Sequence, residues 1–146
     1  MCMEKINIIH ARTCVYNVNY HIVWSVKYRK AVLKGGIEEE TKNIFGQIAA
    51  DKAFTIHTMK VMPDHVHVFI SAHPKTAPSY IVKMLKGISA RQLFIKYPAL
   101  KKSLWGGNLW NSSYYIETIG SISEEIIQKY IENQKTKGES YEVEKK

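Results

Sequence analysis

Between His65 and Ile116 the chain carries no carboxylate, although seven bases fall there: Lys75, Lys83, Lys86, Arg91, Lys96, Lys101 and Lys102. Other absences bound the protein further. Two cysteines, Cys2 and Cys14, are too few for a disulfide framework and read as free thiols in a reducing compartment. No uninterrupted apolar run approaches a membrane span, and the N-terminal MCMEKINIIHAR lacks the apolar core of a signal peptide, so a cytoplasmic protein with no membrane partner is expected. No repeat, low-complexity stretch or Pro/Gly-rich linker divides the 146 residues, which predicts a single domain over 1–146 with a polar, frayed tail at about 137–146. There is no Walker-type GxxxxGK[ST], and no dense Asp/Glu set of the kind a two-metal nuclease needs.

What is present leans toward an anionic partner. The formal net charge is +8, and nearly all of that excess sits in the acid-free stretch. Tyr80, Phe94, Tyr97, Trp105, Trp110, Tyr114 and Tyr115 are interleaved with its bases. Backbone neutralisation combined with base stacking, at roughly 1–3 kcal/mol per stacked base, uses such a mixture. A positive face for nucleic acid is therefore expected, with Lys83, Lys86, Arg91, Lys96, Lys101 and Lys102 as candidate DNA contacts.

Periodicity supplies the elements. Tyr16, Val18, Tyr20, Ile22, Trp24 and Val26 alternate with Asn17, Asn19, His21, Ser25 and Lys27, which predicts one long strand with one face buried. After Gly35-Gly36, the residues Ile37, Thr41, Ile44, Phe45, Ile48 and Ala49 recur at helical spacing, with Glu38 to Glu40 in the favourable first turn. Phe54 to Met62 and His65 to Ala72 form a hairpin around Met62-Pro63-Asp64. Ile81, Met84, Leu85, Ile88 and Leu93 predict a second helix that stops near Pro98, followed by a loop over Ser103 to Gly107 and a strand around Tyr114 to Thr118. Ser121 and Glu124 have capping-box spacing, and Ile126, Ile127, Tyr130 and Ile131 continue a third helix to about Lys135. The order βαββαβ is that of an α+β, ferredoxin-like antiparallel sheet with helices on one face, plus a C-terminal helix carrying Tyr130. The other sheet face is expected to be open for binding or reaction.

The sharpest local feature is Pro63-Asp64-His65-Val66-His67-Val68. On a strand, residues two apart share a face, so His65 and His67 are a candidate pair of ligands for a divalent ion. The same pattern also describes a half-polar strand, because two imidazoles need a third ligand. Tyr130 and Gln134, four apart on the last helix, put a phenol beside an amide oxygen that suits Mg²⁺ or Mn²⁺. Asp64 is a candidate to orient an imidazole, whereas sequence spacing assigns no role to His10, His21, His57 or His73.

These blocks, from Asn19-Tyr20-His21-Ile22-Val23-Trp24 through Met62-Pro63-Asp64-His65-Val66-His67 to Tyr130-Ile131-Glu132-Asn133-Gln134, resemble the single-tyrosine HUH transposases (TnpA) of small bacterial and archaeal insertion sequences. The REP-associated tyrosine transposases are close relatives with similar motifs. The resemblance implies that His65, His67 and Gln134 hold a divalent metal, Mg²⁺ or Mn²⁺, and that Tyr130 is the nucleophile. It further implies single-stranded DNA with hairpin ends as substrate, and a homodimer whose active sites are shared between subunits. Two other readings compete: a non-catalytic ferredoxin-like module that binds single-stranded nucleic acid, and a rolling-circle replication initiator.

Overall fold

A computed structural model describes residues 9–10, 15–16 and 18–120. Tyr130, Gln134, the Ser121–Glu124 box, the third helix and the tail lie outside the described residues. Short strands β1 (Ile9–His10) and β2 (Val15–Tyr16) pair with each other. Then come β3 (Asn19–Ser25), α1 (Gly36–Lys52), β4 (Thr55–Val61), β5 (His65–Ser71), α2 (Pro78–Lys96), α3 (Pro98–Ser103) and β6 (Tyr115–Ile119). Strands β3 to β6 form one antiparallel sheet in the order β4-β5-β3-β6. With β3, β4, β5 and β6 as the four strands, this is the ferredoxin-like βαββαβ order expected. No helix among the described residues is long and apolar enough to cross a membrane.

Local chemistry accounts for the element ends. Gly35 adopts φ 57° and ψ −127°, a backbone region that side chains disfavour, and α1 begins directly after it. Gly36 is held close to a neighbour: a Cβ there would stand 3.2 Å from the Tyr97 hydroxyl at the end of α2. Glu38 and Glu39 occupy the first turn of α1. Helix α2 starts with Pro78 in its first turn, where the missing N–H costs nothing.

One face of the sheet packs on the helices. Ile22, Trp24, Val26, Val66, Val68 and Ile70 form a continuous core with Ile44, Phe45 and Ile48 of α1 and with Ile81, Leu85 and Leu93 of α2. Burial of each such side chain contributes about 1.5–3 kcal/mol. Trp24 and Trp110 meet edge to face at 5.9 Å, and the Trp110 indole N–H donates to Ser89 Oγ at 2.9 Å. This anchors the segment that leads into β6.

Three expectations need correction. The long strand from Tyr16 is two strands, because Val15–Tyr16 pairs with β1, whereas the Val18 carbonyl already accepts from Ala72 N at the end of β5. Pro98 ends one helix but also begins another, α3, at the position where proline is well tolerated. The second sheet face is not open: Asn19, His21, Val23, Ser25, His65, His67, Phe69 and Ser71 all lie on it and all are buried.

Candidate active site

Register places the site. Antiparallel pairing sets Ser25 opposite His65, Val23 opposite His67 and His21 opposite Phe69, while β4 sets Lys60 opposite His67 and β6 sets Glu117 opposite His21. Directly opposed residues share a face, so His21, His65, His67, Lys60 and Glu117 converge on the side away from the helices.

The His65 and His67 rings are 5.0 Å apart at their centroids, nearly perpendicular to each other. Each has its Nδ1 engaged. Asp64 Oδ1 accepts a hydrogen bond from His65 Nδ1 at 2.7 Å. The other Asp64 oxygen accepts from Arg29 Nε at 3.2 Å and Nη2 at 3.0 Å, and its carbonyl accepts from Val26 N at 2.8 Å. Nδ1 of His67 lies 3.3 Å from His21 Nε2, with the two rings nearly parallel (10°) and their centroids 5.4 Å apart. Nε2 of His67 is buried with no hydrogen-bond partner among the described residues. A buried imidazole nitrogen without a hydrogen-bond partner is costly unless something coordinates it, and this one lies beside a second imidazole whose Nδ1 is likewise engaged.

Burial favours the neutral form of His67 and of His21. Burial pushes the His67 pKa down, and the neighbouring His65, His21 and Lys60 add to the effect. Burial also lowers His21, against an opposing pull from Glu117, whose Oε2 is 3.7 Å from His21 Nδ1. Burial works against ionisation of Asp64, but the His65 hydrogen bond and the Arg29 guanidinium hold its carboxyl below the ordinary carboxylate value. Neutral imidazole is what a divalent ion binds. Among the described residues no group of three His, Cys, Asp or Glu side chains could hold an ion. The geometry of His65 and His67, with rings 5.0 Å apart and both Nδ1 atoms engaged, fits two positions of a metal site, which needs a third donor; Gln134 lies outside the described residues.

The structure brings Asp64 to His65 as the sequence suggested. It adds His21, Arg29 and Glu117, which had no visible role. Only the strand register, joining residues 46 positions apart, reveals His21 as a neighbour of His67. The signal available in sequence was its place on the same alternating face as Asn19 and Ser25. At the far end of that face, Ser71 bonds both His57 and Asn19. His57 sits at a register shift between Ile56 and Thr58, a bulge that re-aims a side chain.

The candidate DNA contacts lie on the helix layer, across the sheet from the histidines. Lys83, Arg91, Lys101 and Lys102 are exposed. Lys96 donates to Glu40 Oε1 of α1 at 2.9 Å, so an acid outside the acid-free stretch partly neutralises that face. Lys86 is half-buried and donates to the carbonyls of Asn111 at 2.7 Å and Ser113 at 2.9 Å. Lys101 and Lys102 flank an open groove that Phe94, Pro98 and Leu104 also line. Of the interleaved aromatics, Trp110 belongs to the core, whereas Tyr80 and Tyr114 are exposed.

Residues 14–134 match the family described as "Transposase IS200 like". The chain is 51% identical over 126 residues to the ISDra2 transposase TnpA of Deinococcus radiodurans, covering 86% of this chain and 90% of that one. It is 29% identical over 131 residues to the transposase for insertion sequence element IS200 of Salmonella typhimurium, covering 90% and 84%. Among solved structures, that of a transposase-like protein from D. radiodurans superposes with a TM-score of 0.73 at 41% identity, covering 87% of this chain and 98% of the other. A REP-associated tyrosine transposase bound to a REP hairpin shares the fold with a TM-score of 0.55 at 14% identity, covering 84% and 64%.

Proposed function

This chain belongs to the IS200-like transposase family, and from that membership we propose that it cleaves and rejoins single-stranded DNA at the ends of an insertion sequence, using Tyr130 as nucleophile and recognising hairpins near those ends. The observation that carries the reading is the pair His65 and His67, with both Nδ1 atoms engaged and the His67 Nε2 buried without a hydrogen-bond partner among the described residues.

In this reading His65, His67 and Gln134 hold Mg²⁺ or Mn²⁺. When bound there, the ion supplies positive charge to the scissile phosphate and to the oxygen that leaves it. Tyr130 Oη attacks phosphorus, forming a 5′-phosphotyrosine bond and breaking the bond to the 3′-oxygen. The phenol gives up its proton, and the 3′-oxygen departs as a hydroxyl. Because the phosphotyrosine linkage keeps the phosphodiester's energy, a 3′-hydroxyl can attack it in turn and reseal strands without a nucleotide cofactor. The exposed bases of α2 and α3 bind the DNA backbone, and the solved relative bound to a REP hairpin supports hairpin DNA as the partner. The working unit is a homodimer in which Tyr130 of one protomer completes the histidine pair of the other.

The test incubates the protein with Mg²⁺ or Mn²⁺ and single-stranded oligonucleotides bearing the element's end hairpins. A covalent protein–DNA adduct is expected, abolished by Tyr130→Phe and by chelation of the metal. An adduct that survives in Tyr130→Phe overturns the assignment. If the cognate ends are bound but never give an adduct, the protein is a binding module and not a strand transferase.

A further inference from the structure

We infer that His21 is a positioning residue for His67, with Glu117 behind it, so that each histidine of the pair is backed by a carboxylate: His65 directly, His67 through a second imidazole. The inference rests on the reading of His65 and His67 as ligands through Nε2.

Proton counting gives the argument. A neutral imidazole carries one N–H, and a ring that offers Nε2 to an ion must carry its proton on Nδ1. For His65 that proton points to Asp64 Oδ1, 2.7 Å away, and Asp64 is in turn held by Arg29. The His67 Nδ1 proton has His21 Nε2 at 3.3 Å, so His21 must receive it on a lone pair. His21 then carries its own proton on Nδ1, the atom that faces Glu117 Oε2 at 3.7 Å. Glu117 is itself oriented, since its Oε1 accepts from the Tyr115 hydroxyl at 2.7 Å. Each assignment follows from the one before and sets no two donors against each other; the last contact, at 3.7 Å, is electrostatic and longer than a hydrogen bond.

Packing holds the arrangement. His21 lies between His67, at 5.4 Å and 10° between ring planes, and Phe69, at 5.8 Å and 21°, and is fully buried. His21, Glu117 and His67 come from three adjacent strands, β3, β6 and β5, whose register sets them side by side. A ligand's outer partner fixes its ring orientation and raises its basicity, and loss of such a partner typically costs about 10–100-fold in metal affinity.

Two measurements test this. In the metal-free wild-type protein, long-range proton–nitrogen NMR reads the tautomers: His67 is expected with its proton on Nδ1, and His21 likewise. His67 protonated on Nε2 overturns the inference without touching the assignment of Tyr130. Calorimetric titration with Mn²⁺ then compares variants. His21→Leu is expected to lose about 10–100-fold in affinity, whereas His21→Gln, whose amide oxygen accepts from His67 and whose NH₂ faces Glu117, is expected to recover most of it. If His21→Leu folds, by its circular dichroism, and binds Mn²⁺ like wild type, the inference fails while the ligand reading stands. If it does not fold, His21→Gln and the wild-type tautomers decide. If wild type takes up no Mn²⁺ at all, the ligand reading fails and this inference with it.

Discussion

Asp64 and His65 are consecutive residues joined through their side chains, Oδ1 of the one lying 2.7 Å from Nδ1 of the other. Neighbours on a regular strand point to opposite faces, so this contact depends on Asp64 sitting in the turn before β5, where its carbonyl accepts from Val26 N at 2.8 Å. Arg29 reaches the same carboxylate from a short turn in which Tyr28 and Arg29 both have left-handed backbones, φ 60° and 54°. Three local features thus aim one imidazole. Asp64→Ala is expected to lower Mn²⁺ affinity by about 10–100-fold, and Asp64→Asn, which keeps an acceptor oxygen but loses the charge, by less. Calorimetry on the two variants checks the order. Equal affinities in Asp64→Ala and wild type would show that the carboxylate does not orient His65 for the ion.

Metal binding should also appear as stability. An ion that binds only the folded chain adds about 2.7 kcal/mol at a concentration 100 times its dissociation constant. The melting temperature of wild type is therefore expected to rise with Mn²⁺, reversibly on chelation. His67→Ala should remove that rise. A thermal melt with and without Mn²⁺ reads both, and a rise that persists in His67→Ala places the ion elsewhere.

The bases proposed to contact DNA can be ranked from their surroundings. Lys101 and Lys102 are exposed beside a groove with aromatic and apolar walls, whereas Lys96 already donates to Glu40. Removing one base that neutralises a phosphate should flatten the dependence of log affinity on log salt by about 0.7 for single strands. Lys101→Ala combined with Lys102→Ala is therefore expected to weaken binding of a single-stranded oligonucleotide and to lower that slope by about 1.4. Lys96→Ala should change it little. Fluorescence anisotropy at several salt concentrations separates these outcomes, and an equal effect of Lys96→Ala would mean that Glu40 yields its partner to DNA.

How far the residues alone disclosed this depends on the range of each interaction. Alternation over Val66, Val68 and Ile70 set His65 and His67 on one face, because a period of two is a property of a single strand. The Ile44, Phe45 and Ile48 spacing similarly exposed the buried stripe of α1. Pairings between strands were hidden. His21 had no visible role until β3 was registered against β5, and the charge distribution along the chain concealed the Lys96–Glu40 pair because it joins residues 56 positions apart. Pro98 illustrates a shorter failure: proline forbids a helix interior but suits a helix start, so the same residue supports both readings until the chain is traced. Burial of the histidine face was illegible for a further reason. Asn19, Ser25 and Ser71 are polar, and a polar alternation normally marks solvent, yet here all three are covered.

Lys86 offers a pH-dependent test of how the segment before β6 is held. Its ammonium donates to two carbonyls, of Asn111 and Ser113, and lies 5.6 Å from the centroid of the Tyr114 ring. Burial lowers its pKa from 10.5 to about 8. The folded chain therefore releases this proton near pH 8 and the unfolded chain near 10.5. Across that window the unfolded state binds more protons, so the contribution of this site to stability rises with pH; below pH 8 both states are charged and the cost of burying the charge is fully present. Lys86→Met removes the titration together with the two hydrogen bonds. It is expected to be destabilising near neutral pH by about 1–3 kcal/mol, from the carbonyls left unpaired. The gap between wild type and Lys86→Met should then widen by about 1 kcal/mol between pH 8 and pH 10.5, a figure reduced for the solvent exposure of the side chain. Urea denaturation of both proteins across that range measures the gap directly. A gap that stays constant would show that the ammonium is as well solvated by its two carbonyls as by water.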